Sequence, residues 1–168
     1  MRALLILHFL FAISVTLAAQ SSGYVLKPNQ GEALGDSRTI KASPKSGTNN
    51  AVMVLDSLAP GFETTFHAHK KADELFYVIN GEGRFDVGAE SYEVSAGYVL
   101  FVPKGEKHNL TVSNKGSMLL LFFFDKPGAD DWFRESHKQF FSKSIPMSTQ
   151  DCNELGKKYG YICIESNK

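Results

Sequence analysis

Two histidines and a glutamate lie close together in the middle of the chain, as His67, His69 and Glu74. Residues 63–69 are rich in β-branched and aromatic types, and side chains two positions apart on a strand point to the same face of a sheet. The two imidazoles can therefore converge on one ion. Together with His108, three imidazoles and one carboxylate suit a borderline first-row transition metal, whereas Ca²⁺ prefers oxygen ligands.

Strands must position these side chains, and the sequence predicts eight strands. Short apolar runs separated by Gly, Pro and Asn occupy residues 51–58, 63–69, 74–79, 82–87, 90–94, 98–102, 107–112 and 117–124. Strands of this length and spacing favour an antiparallel sandwich or barrel, so we expect an all-β fold. Asn80-Gly81 predicts a hairpin turn between two of the runs, because both central residues of such a turn need positive φ.

The segment before these strands has a different composition. Residues 20–50 are polar and rich in Gly, Pro, Ser and Asn, which predicts an N-terminal arm or edge segment. The region of short strands, residues 51–125, is expected to form the barrel core.

The segment after the strands, residues 126–168, predicts two short helices. The first is indicated by an apolar spacing and is expected to be capped by Asp130; its apolar positions are Trp132, Phe133, Phe140 and Phe141. The second is predicted from Ser148 and Asp151, which resemble a capping box, and it is expected to stop at Gly160. We therefore expect a C-terminal helical appendage.

Two histidines on one strand are more often a polar face or a hydrogen-bonded interior pair than a metal site. The residues around them change this balance. Gly61 is followed after five residues by His67-Ala68-His69, after four more by Glu74 and after six more by Gly81. A second frame follows, in which Gly97 is separated by five residues from Pro103-Lys104-Gly105, and two more residues separate Gly105 from His108.

These two frames match the two cupin motifs, so the chain resembles the cupin superfamily over roughly residues 51–124, and it is similar to small single-domain, quercetinase-like members. The resemblance implies a double-stranded β-helix, or jelly-roll barrel, with one divalent transition metal (Fe, Mn, Ni, Cu, Co or Zn) inside it. The implied metal ligands are His67, His69, Glu74 and His108. One departure is Val112, which stands where the second motif has Asn.

The resemblance also bears on mechanism and assembly. In quercetinase-like members the corresponding glutamate serves as a base toward a substrate hydroxyl, so Glu74 is the candidate catalytic residue. No motif places a second carboxylate beside it, although Glu63 and Asp73 stay open as candidates. Lysines 70, 71, 104 and 107 are more often solvated loop residues than a basic rim for an anionic substrate. Cupins are often dimers, so a homodimer is expected.

The first residues predict export. Arg2 is followed by an apolar stretch over residues 3–17 and by small residues up to Ala19, the pattern of a secretory signal peptide over residues 1–19. An uncleaved N-terminal anchor is the alternative. About 150 residues remain after cleavage, which is enough for one domain with a buried core. We expect a secreted, periplasmic or extracellular protein.

The remaining composition limits the partners. Loss of Arg2 leaves one fewer than 18 basic residues against 18 acidic ones, a formal charge of about −1 that gives no reason to expect binding to nucleic acid or anionic lipid. In an oxidising compartment Cys152 and Cys163 favour a local disulfide, with two buried thiols or a redox pair as alternatives. Asn109-Leu110-Thr111 is a glycosylation sequon that can be used only if Asn109 points outward.

Two functions are compatible with these features. One is a metal-dependent, dioxygenase-like enzyme that acts on a small organic substrate, for which an aromatic-lined cavity over a metal favours an apolar or planar molecule. The alternative is a non-catalytic cupin that captures a small ligand through its metal, as auxin-binding proteins do. The fold hosts both classes, so the sequence alone does not choose between them.

Overall fold

The computed structural model describes residues 23–164, in which eleven strands form two antiparallel sheets that face each other. The first sheet has the order β1-β2-β3-β10-β5-β8 and the second the order β11-β4-β9-β6-β7. The strands are β1 (Glu32–Leu34), β2 (Arg38–Ala42), β3 (Val52–Leu58), β4 (His67–His69), β5 (Glu74–Asn80), β6 (Glu82–Val87), β7 (Glu90–Ser95), β8 (Val99–Val102), β9 (His108–Val112), β10 (Met118–Phe124) and β11 (Tyr161–Cys163). The helices are α1 (Ala129–Gln139) and α2 (Thr149–Tyr159).

Alternation along the strands builds the core between the two sheets. In β3 every second side chain is buried, and in β10 the buried positions again alternate with half-buried ones. Inward-facing residues of both sheets form one apolar cluster, as expected for a sandwich that closes into a barrel. The predicted all-β, jelly-roll class with short C-terminal helices is therefore confirmed. Val112, at the position that departs from the second motif, is buried in this cluster.

The predicted hairpin at Asn80-Gly81 is wrong. Strands β5 and β6, which flank it, belong to different sheets, so these two residues carry the chain from one sheet to the other. Gly81 has a φ of +95°, and a Cβ there would lie 2.6 Å from the carbonyl oxygen of Ser117. The Asn-Gly pair correctly indicated a sharp turn with positive φ, but such a turn does not determine whether the flanking strands pair.

Helix α1 begins and ends differently from the prediction. Gly128 is its N-cap, and Asp130 lies inside the first turn, where its carboxylate accepts a hydrogen bond from the Gly128 N–H at 3.1 Å. Phe140 terminates the helix, and Phe141 begins a separate 3₁₀ turn and is exposed.

Helix α2 follows the prediction closely. Ser148 and Asp151 form a reciprocal capping box, with both backbone-to-side-chain distances at 3.1 Å. Gly160 ends the helix in the left-handed conformation, with a φ of +80°.

An ion-pair network joins α1 to the N-terminal arm. Arg134 of α1 is 2.7 Å from the Glu32 carboxylate of β1, 2.6 Å from that of Asp130, and donates to the Ser43 hydroxyl at 2.9 Å. These contacts hold β1 and β2 as the outer strands of the first sheet, where β2 pairs with β3. The arm thereby positions Arg38, the first residue of β2, at the wall of the barrel cavity.

The C-terminal strand β11 extends the second sheet beside β4. Tyr161 pairs with His69 and Cys163 with His67 across this ladder. A disulfide joins Cys152 of α2 to Cys163, with a Cα–Cα distance of 6.0 Å. The strand is therefore attached both to the sheet and to the helix that precedes it.

Among residues 23–164 no helix is long and apolar enough to cross a membrane. The predicted signal peptide lies outside the described residues.

Replacement of both cysteines by serine should lower the free energy of unfolding. The bond closes a loop with a sequence separation of 11, and loop-closure entropy gives a loss of about 3 kcal/mol. Urea unfolding of the double variant and of the unreduced parent measures the difference. The disulfide would be contradicted if the two proteins had equal free energies of unfolding and the cysteines of the parent could be alkylated without prior reduction.

Candidate metal centre

The barrel interior brings together His67, His69, Glu74 and His108. Each residue offers one nitrogen or oxygen atom, and these four atoms all lie within 4.8 Å of one another. Strand β4 supplies two of the histidines, and the first residues of β5 and β9 supply the other two side chains. All four residues are buried. The set that the sequence singled out therefore converges in one place.

Backbone carbonyls fix the orientation of two of the rings. Nδ1 of His67 lies 2.7 Å from the carbonyl oxygen of Thr65, and Nδ1 of His108 lies 3.1 Å from that of Glu106. A carbonyl oxygen can only accept, so the network assigns the hydrogen to Nδ1 in both rings. Nε2 of each ring then carries a lone pair, the form in which imidazole binds a metal, and such outer contacts commonly orient metal-binding histidines.

The inward-facing atoms lack hydrogen-bond partners. Nε2 of His69 and Nε2 of His108 lie 3.1 Å and 3.2 Å from Oε2 of Glu74, yet within the described part of the chain all three atoms are buried without a hydrogen bond. Each buried polar atom left in this state costs about 1–3 kcal/mol. For His108, whose hydrogen is on Nδ1, two electron-pair donors face each other, and a shared cation relieves their repulsion. The donor set and its geometry fit a divalent transition metal.

The electrostatics keep the ligands in the states that a metal requires. Burial lowers the pKa of His67 well below 6.5, and the neighbouring His108 and His69 lower it further. Burial alone would raise the pKa of Glu74, but a positive charge or an N–H at His69 and His108 outweighs burial and lowers the pKa to about 2, and a cation bound between these atoms acts in the same direction. At neutral pH the site therefore presents a neutral imidazole at His67 and an ionised carboxylate at Glu74.

A small cavity over the cluster adjoins a much larger one. The inner space measures about 60 Å³ and the outer about 670 Å³, within the range of small-molecule binding sites. The two spaces share a wall formed by residues that include Arg38, Asp56, Phe62, Phe133 and Tyr161. A molecule seated in the outer cavity therefore lies next to the space over the cluster.

Sequence reasoning missed three of these wall residues. Asp56 occupies an inward position of β3, where Val52, Val54 and Leu58 are apolar, so a charge in the buried register was the available signal. Arg38 and Tyr161 come from the arm and from β11, and no motif indicated them.

Asp56 is the second carboxylate of the inner cavity, in place of the two candidates that the sequence left open. Asp73 instead accepts a hydrogen bond from the Lys104 N–H at 2.7 Å, which secures a turn. Glu63 lines only the outer cavity.

Other expectations for the surroundings are partly corrected. Phe76 and Phe122 line the inner cavity, whereas Phe101 is 54% exposed on the outside of the sheet. No lysine lines either cavity, so the described residues provide no basic rim there; the cationic group at the wall is Arg38. His137 is half-buried and lines the outer cavity.

The sequon asparagine is fully buried. Asn109 has 0% exposure, and its amide donates a hydrogen bond to the Thr64 carbonyl. Residues 62–64 run beside β9, with a bridge between Glu63 and Thr111, and the Asn109 amide also donates to the Glu63 carboxylate at 3.4 Å. The outward orientation that glycosylation requires is therefore not met in the folded chain.

Comparisons with known proteins match part of the chain. Residues 54–124 match the family described as Cupin domain. The oxalate-binding protein of Thermotoga maritima is 34% identical over 65 residues, which are 39% of this chain and 52% of that protein. Polyketide synthase CurC of Streptomyces cyaneus is 28% identical over 83 residues, 49% of this chain and 53% of that protein. The chain thus spans about half the length of these curated relatives.

Solved structures support the architecture. A cupin protein from Bacteroides fragilis superposes with a TM-score of 0.50 at 21% identity, over 62% of this chain and 89% of that one. A predicted oxalate decarboxylase from Thermotoga maritima gives 0.50 at 24% identity, over 54% and 79%. At these identities the likeness is one of fold.

Removal of two ligands should abolish metal binding. In the double variant His67→Ala/His69→Ala we expect bound transition metal to fall from about one equivalent per chain to near zero, because two of the four donors are lost. His137→Ala is the matched control, since that histidine lies outside the cluster. Elemental analysis after dialysis measures both proteins. A full equivalent in the double variant would rule out these ligands.

The metal-free protein should lose stability in acid. His67 titrates near 6.5 when unfolded and well below that value when folded, so its contribution is complete above pH 6.5 and is lost as the pH falls further. Glu74 adds a second loss between about pH 4.5 and about pH 2. Urea unfolding at a series of pH values across these two ranges measures how steeply the free energy of unfolding falls with pH. His67→Asn should flatten the upper window, and an unchanged slope in that variant would contradict the assignment.

Proposed function

We propose that the chain, whose residues 54–124 match the Cupin domain family, is a metal-binding cupin acting as a dioxygenase-like enzyme on a small organic substrate. The observation that carries the proposal is the set of buried, unpartnered atoms of His69, Glu74 and His108, which face one another inside the barrel. A structure that only needed stability would fill this space with apolar side chains. The polar set is retained here at a cost, and metal binding offsets that cost.

A bound Fe, Mn, Ni, Cu, Co or Zn ion would supply a Lewis acid, and its redox-active members would supply an electron path to dioxygen. His67, His69, Glu74 and His108 would hold it. Glu74 carries no proton at neutral pH, the state that both ligation and acceptance of a substrate proton require. We therefore retain Glu74 as ligand and candidate base.

The protein walls favour an apolar or planar substrate. The inner cavity admits only a few atoms beside the cluster, while the outer one is lined by aromatic rings that include Phe62, Trp132 and Phe133. A substrate would place one polar end at the cluster and its body in the outer cavity. The surrounding barrel would exclude bulk water from the reacting end.

The alternative is a binding protein without catalysis. It is favoured by the relative named an oxalate-binding protein, which is 34% identical over 65 residues. The same cluster would then hold a ligand oxygen without turning it over. Substrate-dependent oxygen uptake separates the two functions.

Export completes the proposal. The predicted signal peptide and the Cys152–Cys163 disulfide together favour a secreted, periplasmic or extracellular location. The homodimer implied by the resemblance stays a prediction.

The enzyme proposal predicts oxygen uptake by protein purified from its native compartment. We expect about one Fe, Mn, Ni or Cu per chain, and oxygen consumption that depends on one of a panel of flavonols, diketones and small carboxylic acids. Glu74→Gln should lower the rate at least about 100-fold, because it weakens a ligand and removes the base. Tightly held Zn without uptake would contradict the enzyme and favour the binding protein.

A further inference from the structure

We infer that Arg38, Trp132 and Tyr161 form an acid-binding subsite that holds the carboxylate of a small apolar organic acid beside the metal centre. The inference rests on the proposed metal site and deepens it by naming the ligand class. All three residues lie outside residues 54–124, the part of the chain that matches the cupin family.

Arg38 has a fixed position and one free edge. Its Nε and Nη2 donate to the Asp56 carboxylate, with distances of 2.9 Å and 2.5 Å to the nearer oxygens. The guanidinium carbon lies 4.0 Å from the centre of the Phe133 ring, which supports its flat face. Nη1 has no hydrogen-bond partner among residues 23–164, and the side chain retains 25% exposure. The free edge is therefore a donor at the wall of both cavities.

Tyr161 presents a second donor. Its ring is stacked between Trp132, with centroids 4.0 Å apart, and His67, at 4.8 Å, and both pairs are nearly parallel. The hydroxyl makes no hydrogen bond within the described part of the chain. Tyr161 lines both the inner and the outer cavity, as Arg38 does, which places the two side chains at one wall. Tyr161 adjoins the metal ligands on one side and Arg38 on the other.

Trp132 adds a third donor in the outer cavity. Trp132 is 4% exposed and lines that cavity, yet its Nε1–H has no hydrogen-bond partner among residues 23–164. A buried indole N–H normally finds an acceptor. An acceptor atom of a bound ligand would supply the missing hydrogen-bond partner of this N–H.

The unmatched donors indicate the chemical class of the ligand, because no acceptor in the described part of the chain is hydrogen-bonded to them. Three N–H or O–H groups are unmatched among residues 23–164. Of the carboxylates that line the two cavities, Asp56 is already occupied by Arg38, Glu74 belongs to the histidine cluster, and Asp36 and Glu63 line only the outer cavity. The ligand must therefore bring acceptor oxygens, and a carboxylate brings two with a negative charge that suits an adjacent cation. Most of the outer wall surface is apolar, although Asp36, Glu63 and several hydroxyl side chains also line it, so the body of the acid is mainly apolar.

The hydroxyl of Tyr161 gives a clean test, because Tyr161→Phe keeps the stacked ring and removes a group that has no partner in the fold. The full chain, exported and loaded with Zn²⁺, is titrated calorimetrically with benzoate and with benzamide, its neutral counterpart. We expect benzoate to bind and benzamide to bind at least about tenfold more weakly, since the amide lacks the charge. Tyr161→Phe should weaken benzoate about tenfold at unchanged Zn²⁺ content.

Two further variants complete the design. Arg38→Lys keeps a cation for Asp56 but removes the second edge of the fork, so it should weaken benzoate by a similar factor. Tyr92→Phe, at a position 51% exposed on β7, is the matched control and should bind as the parent does.

The outcomes separate the subsite from the metal centre. Full Zn²⁺ content with no benzoate binding by the parent, or with equal binding of benzoate and benzamide, overturns the subsite and leaves the metal centre intact. Parent-like benzoate binding by both Tyr161→Phe and Arg38→Lys overturns the assigned residues. Absence of stoichiometric Zn²⁺ in the parent overturns the proposed metal function, and the subsite with it.

Discussion

Burial of three imidazoles and a carboxylate at one point inside an apolar barrel is the constraint on which the rest of the structure depends. Groups that point lone pairs at one another away from water are costly unless a cation lies between them. The backbone contributes to this arrangement, because the carbonyls of Thr65 and Glu106 hold two rings with Nε2 directed inward. Strand alternation, turns and core packing all serve to place these four side chains.

The segments on either side of the barrel determine what the centre can meet. The arm, held to α1 through Arg134 and Glu32, carries Arg38 to the cavity wall. The C-terminal strand, secured by the Cys152–Cys163 bond, brings Tyr161 against His67. The barrel therefore supplies the four clustered side chains, and the flanking segments supply Arg38 and Tyr161 beside them. This division explains how one fold can serve different chemistries.

The ligands and most strands could be predicted because their signals are local. His67 and His69 share a face by alternation, and fixed spacings place Glu74 and His108. Arg38 and Tyr161 could not be predicted, since their positions depend on pairings between strands far apart in the sequence. The error at Asn80-Gly81 has the same origin, because a local turn signal does not reveal which sheet the next strand joins. The burial of Asn109 could not be predicted either, because it depends on contacts with a segment distant in the sequence, residues 62–64.

The central claim is that one metal ion joins these four side chains, and X-ray absorption spectroscopy of the Zn²⁺-loaded full chain tests it most directly. The account predicts a single shell of nitrogen and oxygen ligands at about 2.0–2.2 Å, with outer scattering from three imidazole rings. Sulfur in the first shell, or scattering from fewer than three imidazoles, would contradict it.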